Sequence, residues 1–322
     1  MRALVTGATG FVGSHLAEAL RRGGHQVTVL ARSAAKAESL KALGMRVVMG
    51  DLHDTAALTR ATEGQDVVFH VAGVIAARNE AEFLRANRDG TANVLEASGQ
   101  AGRPRIVLVS SMAAAGPSSP GKPHVGNEPA RPVTAYGRSK LAAEEVVTAS
   151  ALPWTIIRPP TVYGPRDQEV LKVFRIARWG VAPVFGDGSQ ELSAIHGGDL
   201  ADSLIATATA DATIGKTYYP CHPEVVTSAG LVRAIAAAMG RRVAVVGVPR
   251  PVGRALLMLT ETGARCTGQA TILTADKANE FFQSAWTGDP TPLLRDSGWR
   301  AAHDLTSGLT ETYHWYRSAG WL

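Results

Sequence analysis

The chain has 322 residues, 45% hydrophobic and 19% charged, a balance that supports a sizeable buried core and excludes a disordered or fibrous chain. Its formal charge is +5, but the basic residues are scattered rather than gathered into a run, so nucleic acid is not expected as a partner. No apolar stretch reaches the roughly 18 residues of a membrane span, and the opening Met1 to Gly7 runs into a strand and a glycine loop without the form of a secretory leader; the expectation is a cytoplasmic protein with no membrane partner.

In chain order, Ala3-Leu4-Val5 reads as a short buried strand and Phe11 to Arg22 as a helix with Val12, Leu16 and Leu20 on one face. Strands follow at Val27–Leu30, Val47–Met49, Val67–Phe69 and Ile106–Val109, separated by helical stretches at Ala56–Thr62 and Phe83–Gln100. This alternation predicts an α/β, Rossmann-type doubly wound parallel sheet with right-handed crossovers. After Thr155–Arg158 the pattern loosens at Pro159, Pro160, Gly164 and Pro165, and helices at Val170–Trp179, Asp199–Ala208 and Ser228–Met239 mix with Gly/Pro-rich loops. The division expected is a cofactor-binding domain over 1–165, with 193–222 returning to it. Residues 166–192 and 223–322 form a smaller, interleaved C-terminal substrate region.

The first chemical signal is Thr6-Gly7-Ala8-Thr9-Gly10-Phe11-Val12-Gly13, set between the first strand and first helix. Gly7 suits a tight turn, Gly10 lets backbone approach a pyrophosphate, and Gly13 allows close helix–strand packing. The helix start beyond offers free N–H groups and partial positive charge to phosphates. The second strand ends Val29-Leu30-Ala31-Arg32-Ser33, without the carboxylate that would bind a ribose 2′-hydroxyl. Arg32, helped by Ser33 and Lys36, suits a 2′-phosphate instead, so NADP is the cofactor expected, with NAD as the alternative.

Tyr136-Gly137-Arg138-Ser139-Lys140 puts a tyrosine and a lysine at i and i+4, on one helix face. A free phenol ionises near ~10, and a neighbouring ammonium is expected to lower that value toward the range of a general acid/base. Ser110-Ser111 ends the fifth strand, on the edge of a parallel sheet that faces the binding crevice; a hydroxyl there can steady charge on a substrate oxygen. Ser111 is the candidate, with Ser110 expected to cap backbone.

The Gly-x-x-Gly-x-x-Gly spacing with Tyr136 and Lys140 resembles the extended short-chain dehydrogenase/reductases, the NAD-dependent epimerase/dehydratase-like family, over nearly the whole chain. That resemblance implies an NAD(P)-dependent oxidoreductase, reducing a carbonyl or oxidising a secondary alcohol by hydride transfer. It implies catalytic Ser111, Tyr136, Lys140 and Asn87, with Asn87 as a structural or proton-relay residue. Cofactor contacts are implied at Gly7, Thr9, Gly10, Phe11, Val12, Gly13, Arg32, Asp51, Leu52, Ala72, Gly73, Pro159 and Val162, besides Tyr136 and Lys140, the last on the ribose. Asp199 resembles a fold-stabilising aspartate of that branch. A small-molecule substrate and a homodimer through Asn87–Gln100 and Thr134–Ser150 are implied as well, with Val94, Leu95, Leu141, Val146 and Val147 as apolar contacts.

The chain departs from the nucleotide-sugar enzymes of that branch. Glu191 and Leu192 stand where those relatives carry a diphosphate-gripping arginine, Thr161 where they have Asn, and Ala115 where they have Tyr. A diphosphate requires cationic partners, which Arg166, Arg175 or Arg178 would have to supply. A carbonyl reductase therefore leads; an epimerase or dehydratase with tightly held NAD, and a non-catalytic cofactor-sensing protein, are the alternatives. His70 is expected to pack under the cofactor loop and His196 to bond backbone near Asp199. With no ligand-type spacing, no metal is expected. Cys221 and Cys266 are too few and too far apart for a disulfide framework, and each reads as a buried thiol.

Overall fold

A computed structural model describes residues 1–322. Seven parallel strands form the main sheet, in the order β11-β6-β5-β4-β1-β2-β3. The strands are β1 (Arg2–Thr6), β2 (Gln26–Ala31), β3 (Arg46–Met49), β4 (Val67–His70), β5 (Arg105–Val109), β6 (Trp154–Ile157) and β11 (Lys216–Tyr218). The inner strands are Val, Ile and Leu-rich and buried on both faces, as a covered parallel sheet requires, and the edge strands β3 and β11 are more exposed. One face packs on α1 (Phe11–Arg22) and α9 (Gly197–Thr209), through Leu16, Leu20, Leu200 and Leu204. The other packs on α3 (Thr55–Thr62), α5 (Gly90–Gln100) and α7 (Ala135–Thr148), through Leu58, Val94, Leu95 and Val147. The strand order reverses between β1 and β4, which opens a crevice at their carboxyl ends.

The elements outside this sheet form three small ones. β7 (Thr161–Tyr163) pairs with β10 (Ala194–His196), and β8 (Val181–Phe185) with β13 (Ala244–Val248). β9 (Glu191–Leu192) lies between β12 (Val226–Thr227) and β14 (Ala285–Trp286). Helices α8 (Glu169–Ala177), α10 (Ser228–Ala238) and α14 (Leu305–Ser318) share a third core around Phe174, Ile235, Leu309 and Tyr316.

Several expectations need correction. The single helix over 83–100 is α4 (Glu80–Leu84), a π-type turn at Arg85–Asp89, and then α5. That turn centres on buried Asn87, where such bulges commonly serve a function. Helices α2 (Ala34–Ala42), α11 (Arg250–Cys266) and α13 (Thr291–Ser297) carried no expectation. Cys221 is buried, its thiol pushed up to about 12 by burial, but Cys266 is exposed at the end of α11. Of the apolar residues expected at a dimer contact, the core claims Val94, Leu95 and Val147, leaving Leu141 and Val146 half-buried.

Candidate active site

The glycine loop is held by close approaches that a side chain would prevent. Gly7 has φ 77°, and a Cβ there would stand 2.7 Å from the Ala72 nitrogen. At Gly13 a Cβ would lie 2.1 Å from the Gly7 carbonyl, so the helix can meet the strand only without one. Gly10 differs: only the Gly7 oxygen, at 3.3 Å, lies within 4 Å of its Cβ position. Gly10 is also the N-cap of α1 and supplies no side-chain cap, so the first-turn N–H groups at Phe11, Val12 and Gly13 are left for an outside acceptor. An open backbone in front of uncapped donors fits a dinucleotide pyrophosphate.

Around this loop the fold assembles a second layer. Thr6 Oγ1 accepts from the Ala72 N–H at 3.2 Å and lies 2.7 Å from His70 Nδ1, while His70 Nε2 lies 2.9 Å from Thr91 Oγ1. Burial, with Lys140 nearby, holds His70 neutral, its pKa down at about 3. Asn87 accepts from the Val74 N–H at 2.9 Å and donates to the Ser139 hydroxyl at 2.9 Å. A Cβ at Gly73 would meet Asn87 Oδ1 at 2.9 Å and Lys140 Nζ at 3.6 Å, so Gly73, Asn87 and Lys140 converge on one spot. Leu52 packs against Gly90, Asp51 accepts from the His53 N–H at 2.7 Å, and the Pro159 carbonyl accepts from the Met112 N–H at 3.0 Å. Val162 packs on the edge of the main core. Arg32 is exposed at the end of β2. Ser33, expected beside it as a phosphate donor, accepts from the Lys36 N–H at 3.5 Å as the N-cap of α2.

Tyr136 and Lys140 lie on α7, which begins at a Thr134 cap. Ser111, the N-cap of the short α6 (Met112–Ala115), is near enough to pull the Tyr136 pKa down, but burial dominates and Glu280 adds to it, pushing the phenol up to about 12. Lys140 does not lower it: Nζ donates to the Val109 carbonyl at 2.8 Å, and burial, opposed by Glu144, brings the ammonium down to about 8. The expected depression of the Tyr136 pKa is therefore absent. The phenol stays protonated far above neutral pH, and the buried lysine is the group that titrates near it.

One turn beyond Lys140, Glu144 accepts from Arg158 Nε at 3.0 Å and from Nη2 at 2.6 Å, while Arg158 Nη1 donates to the Tyr219 hydroxyl at 2.7 Å. Ser110 donates to the same carboxylate, not to a backbone group as expected. The fork geometry and complete pairing raise the Arg158 pKa against the opposing effect of burial.

Sequence spacing missed the segment that covers Tyr136. Asp276 accepts from the Ala135 N–H at 2.8 Å, Thr134 donates to Glu280 at 2.6 Å, and Lys277 Nζ sits 5.4 Å from the centre of the Tyr136 ring. Phe83 packs on the Tyr136 ring itself, with centroids 5.9 Å apart. No local signal linked residues about 140 positions apart in the chain.

The arginines proposed as diphosphate grips are otherwise engaged. Arg166 pairs with Glu18, Arg175 donates to the Trp321 carbonyl at 3.1 Å, and Arg178 stacks on Trp179. Glu191 accepts from the Gly121 N–H at 2.9 Å. Asp199 takes the N–H groups of Ala302 and His303, both at 3.1 Å, tying the returning chain to α9. His196 Nδ1 accepts from the Gly198 N–H at 3.3 Å. Folding nevertheless gives His196 partners that spacing could not reveal: donor atoms of His196, His303 and Glu311 lie within 4.8 Å of one another. The two His303 nitrogens are bonded to Asp199 and Glu311, each at 3.0 Å, whereas His196 Nε2 is buried without a hydrogen-bond partner.

Sheet order, glycine loop and the Ser111–Tyr136–Lys140 neighbourhood define a short-chain dehydrogenase/reductase-type protein of the extended form. The chain belongs to the NAD dependent epimerase/dehydratase family, whose model matches residues 3–219. It is 34% identical to a ceramide reductase of Caulobacter vibrioides over 99% of this chain and 95% of that one. It is 30% identical to a 2-alkyl-3-oxoalkanoate reductase of Stenotrophomonas maltophilia over 98% of this chain and 91% of that one. Among solved structures, MoeE5 in complex with UDP-glucose and NAD superposes with a TM-score of 0.77 at 26% identity, covering 99% of both chains. The crystal structure of gox2253 superposes with a TM-score of 0.82 at 25% identity, covering 100% of this chain and 99% of that one. No helix is long and apolar enough to cross a membrane.

Proposed function

We propose that this protein is an NADP-dependent reductase of an apolar carbonyl compound, with residues 166–192 and 223–322 forming the substrate side. The observation that carries this reading is that Lys140 converges with Gly73 and Asn87 while Tyr136, one turn earlier on α7, lies beside Ser111. Protonated at neutral pH, Tyr136 can supply the proton that a carbonyl oxygen takes up on reduction, and burial makes it a weaker acid than a free phenol. The bound nicotinamide would supply the hydride. Ser111 hydrogen-bonds the substrate oxygen, and Tyr136 gives its proton to that oxygen as negative charge develops there. Lys140 keeps protons free beyond its bond to Val109 with which to hold the cofactor ribose, and Asn87 fixes the backbone at Val74 beside it. Arg32, unpaired at the end of β2, would grip the 2′-phosphate.

The apolar substrate class is supported by the pairing of Arg166 with Glu18 and by Glu191, a carboxylate that a diphosphate would meet unfavourably. Two relatives at 30% identity or more over nearly full length carry the name reductase, one of ceramide and one of 2-alkyl-3-oxoalkanoate. A homodimer is supported by the shallow groove between α5 and α7, lined by Leu95, Val146, Leu152 and four alanines. The experiment is a panel of ketones, long-chain β-oxo compounds and UDP-sugars monitored for NADPH absorbance. Stoichiometric NADPH loss with an apolar ketone is the expected result. Turnover of a UDP-sugar without net absorbance change would establish an epimerase instead.

A further inference from the structure

Helix α11 has two apolar faces, and the fold uses one. Gly253 and Leu257 are buried: a Cβ at Gly253 would stand 2.7 Å from the Phe282 ring and 2.9 Å from the Phe185 ring, so the helix lies directly on these aromatics. Thr260 Oγ1 donates to the Leu273 carbonyl and Glu261 accepts from the Ala275 N–H, fixing the same side to the segment that leads to Tyr136. A second stripe, at Val252, Leu256, Leu259, Gly263 and Cys266, recurs at helical spacing on the side facing solvent. Val252 and Leu256 are each 51% exposed and Leu259 is 70% exposed. Leu273, on the adjoining segment, is exposed as well. A contiguous apolar stripe of this kind marks an interaction site.

The charge around this stripe selects its occupant. Residues 240–268 contain Arg241, Arg242, Arg250, Arg254 and Arg265 against one carboxylate, Glu261. Glu261 is already paired with Arg265, and Arg250 and Arg254 form no ion pair. On the helix, Arg254 and Arg265 line one edge between the buried face and the exposed stripe, while Arg250 lies over the Phe282 ring, 6.0 Å from its centre. A second copy of this chain would bring the same arginines and no acidic counterpart. An anionic lipid surface supplies that counterpart and receives the stripe, the pattern of a helix lying in the membrane interface.

We propose that α11 is a peripheral docking helix that seats the molecule on an anionic lipid surface. The absence of a membrane span, on which the expectation of no membrane partner rested, does not bear on such docking, because one helix face suffices. The proposal rests on this surface alone and holds whichever carbonyl compound the site takes.

The test is flotation of the full chain with vesicles of equal parts phosphatidylglycerol and phosphatidylcholine, against phosphatidylcholine alone. The wild type is expected to float with the anionic vesicles and to be released by salt. The double variant Leu256→Ser/Leu259→Ser should lose binding by about tenfold or more, as each leucine forfeits its burial. Arg242→Glu/Arg254→Glu should lose it by about tenfold or more through charge. Thermal midpoint and turnover of a water-soluble ketone should be unchanged in both, because all four side chains are exposed. Failure of the wild type to bind anionic vesicles, or leucine variants that float like the wild type, would overturn the proposal. So would a wild-type self-association through α11 that the leucine substitutions abolish while flotation persists. Loss of ketone turnover with flotation intact would count against the reductase reading alone.

Discussion

Lys140 and Arg158 are both buried cations held against α7, yet Arg158 is enclosed by Glu144, Ser110 acting through that carboxylate, and Tyr219, whereas Lys140 has a single carbonyl, that of Val109. The pairing of Arg158 raises its pKa; the isolation of Lys140 lowers its own to about 8. A fully satisfied buried charge braces the carboxyl ends of β5 and β6 and has nothing left to offer a ligand. An under-satisfied one is costly to the fold but keeps donors available. The difference separates the structural from the chemical use of a buried cation within one helical turn.

The sharpest break of this contrast removes one partner of the satisfied pair. Glu144→Ala leaves Arg158 buried and uncompensated and should cost about 3–5 kcal/mol of unfolding free energy, read from urea melts. The double change Glu144→Gln/Arg158→Met should recover much of that loss, since no net charge stays buried.

At the chemical end, Tyr136→Phe should lower ketone turnover by about 100-fold or more. NADPH affinity and thermal midpoint should stay near wild type. Near-full turnover in steady-state assays would rule out Tyr136 as the proton donor.

Arg32 sharpens the comparison from the surface, as an exposed cation free of partners. Arg32→Ala should weaken NADPH binding by about 1–3 kcal/mol, the value of a charge-assisted hydrogen bond, and leave NADH binding unchanged in fluorescence titrations. Tighter binding of NADH than NADPH by the wild type would overturn the cofactor choice.

The smallest effect is expected in the pH profile. Lys140 is charged below its folded value of about 8 and neutral above it, while Tyr136 stays protonated to about 12. Reduction should therefore decline as pH rises through about 8, with no limb from the phenol until far higher. The stability linkage has the opposite sign. Between about 8 and the ordinary value of 10.5 the unfolded chain binds the Lys140 proton and the folded chain does not, so this group's contribution to stability rises with pH across that window. A kcat/KM profile flat to pH 10, with no shift in Lys140→Met, would contradict the assignment.

What could be read along the chain was what local geometry encodes. The Gly7–Gly13 loop was legible because Gly7 and Gly13 answer close backbone contacts within a few residues or with the strand beside them, and Gly10 keeps the turn open between them. Tyr136 and Lys140 were legible because four residues make one helical turn. The parallel sheet was legible because strands buried on both faces are uniformly apolar. The helix at Arg250–Cys266 was not, since Pro251, Gly253 and Gly263 interrupt its pattern and its two apolar faces blur the single stripe that periodicity seeks.

The sequence by itself determined the fold class, the family, and the neighbourhood of Ser111, Tyr136 and Lys140, because strand burial, loop glycines and helix spacing act over a few residues. Only the tertiary structure decided where Lys140 donates its hydrogen bond, that burial raises Tyr136 rather than a lysine lowering it, and that Ser110 serves Glu144. It alone brought Asp276, Lys277 and Glu280 over the tyrosine and His303 and Glu311 to His196. Those outcomes depend on desolvation and on partners far apart in the chain, quantities that exist only once the layers have packed.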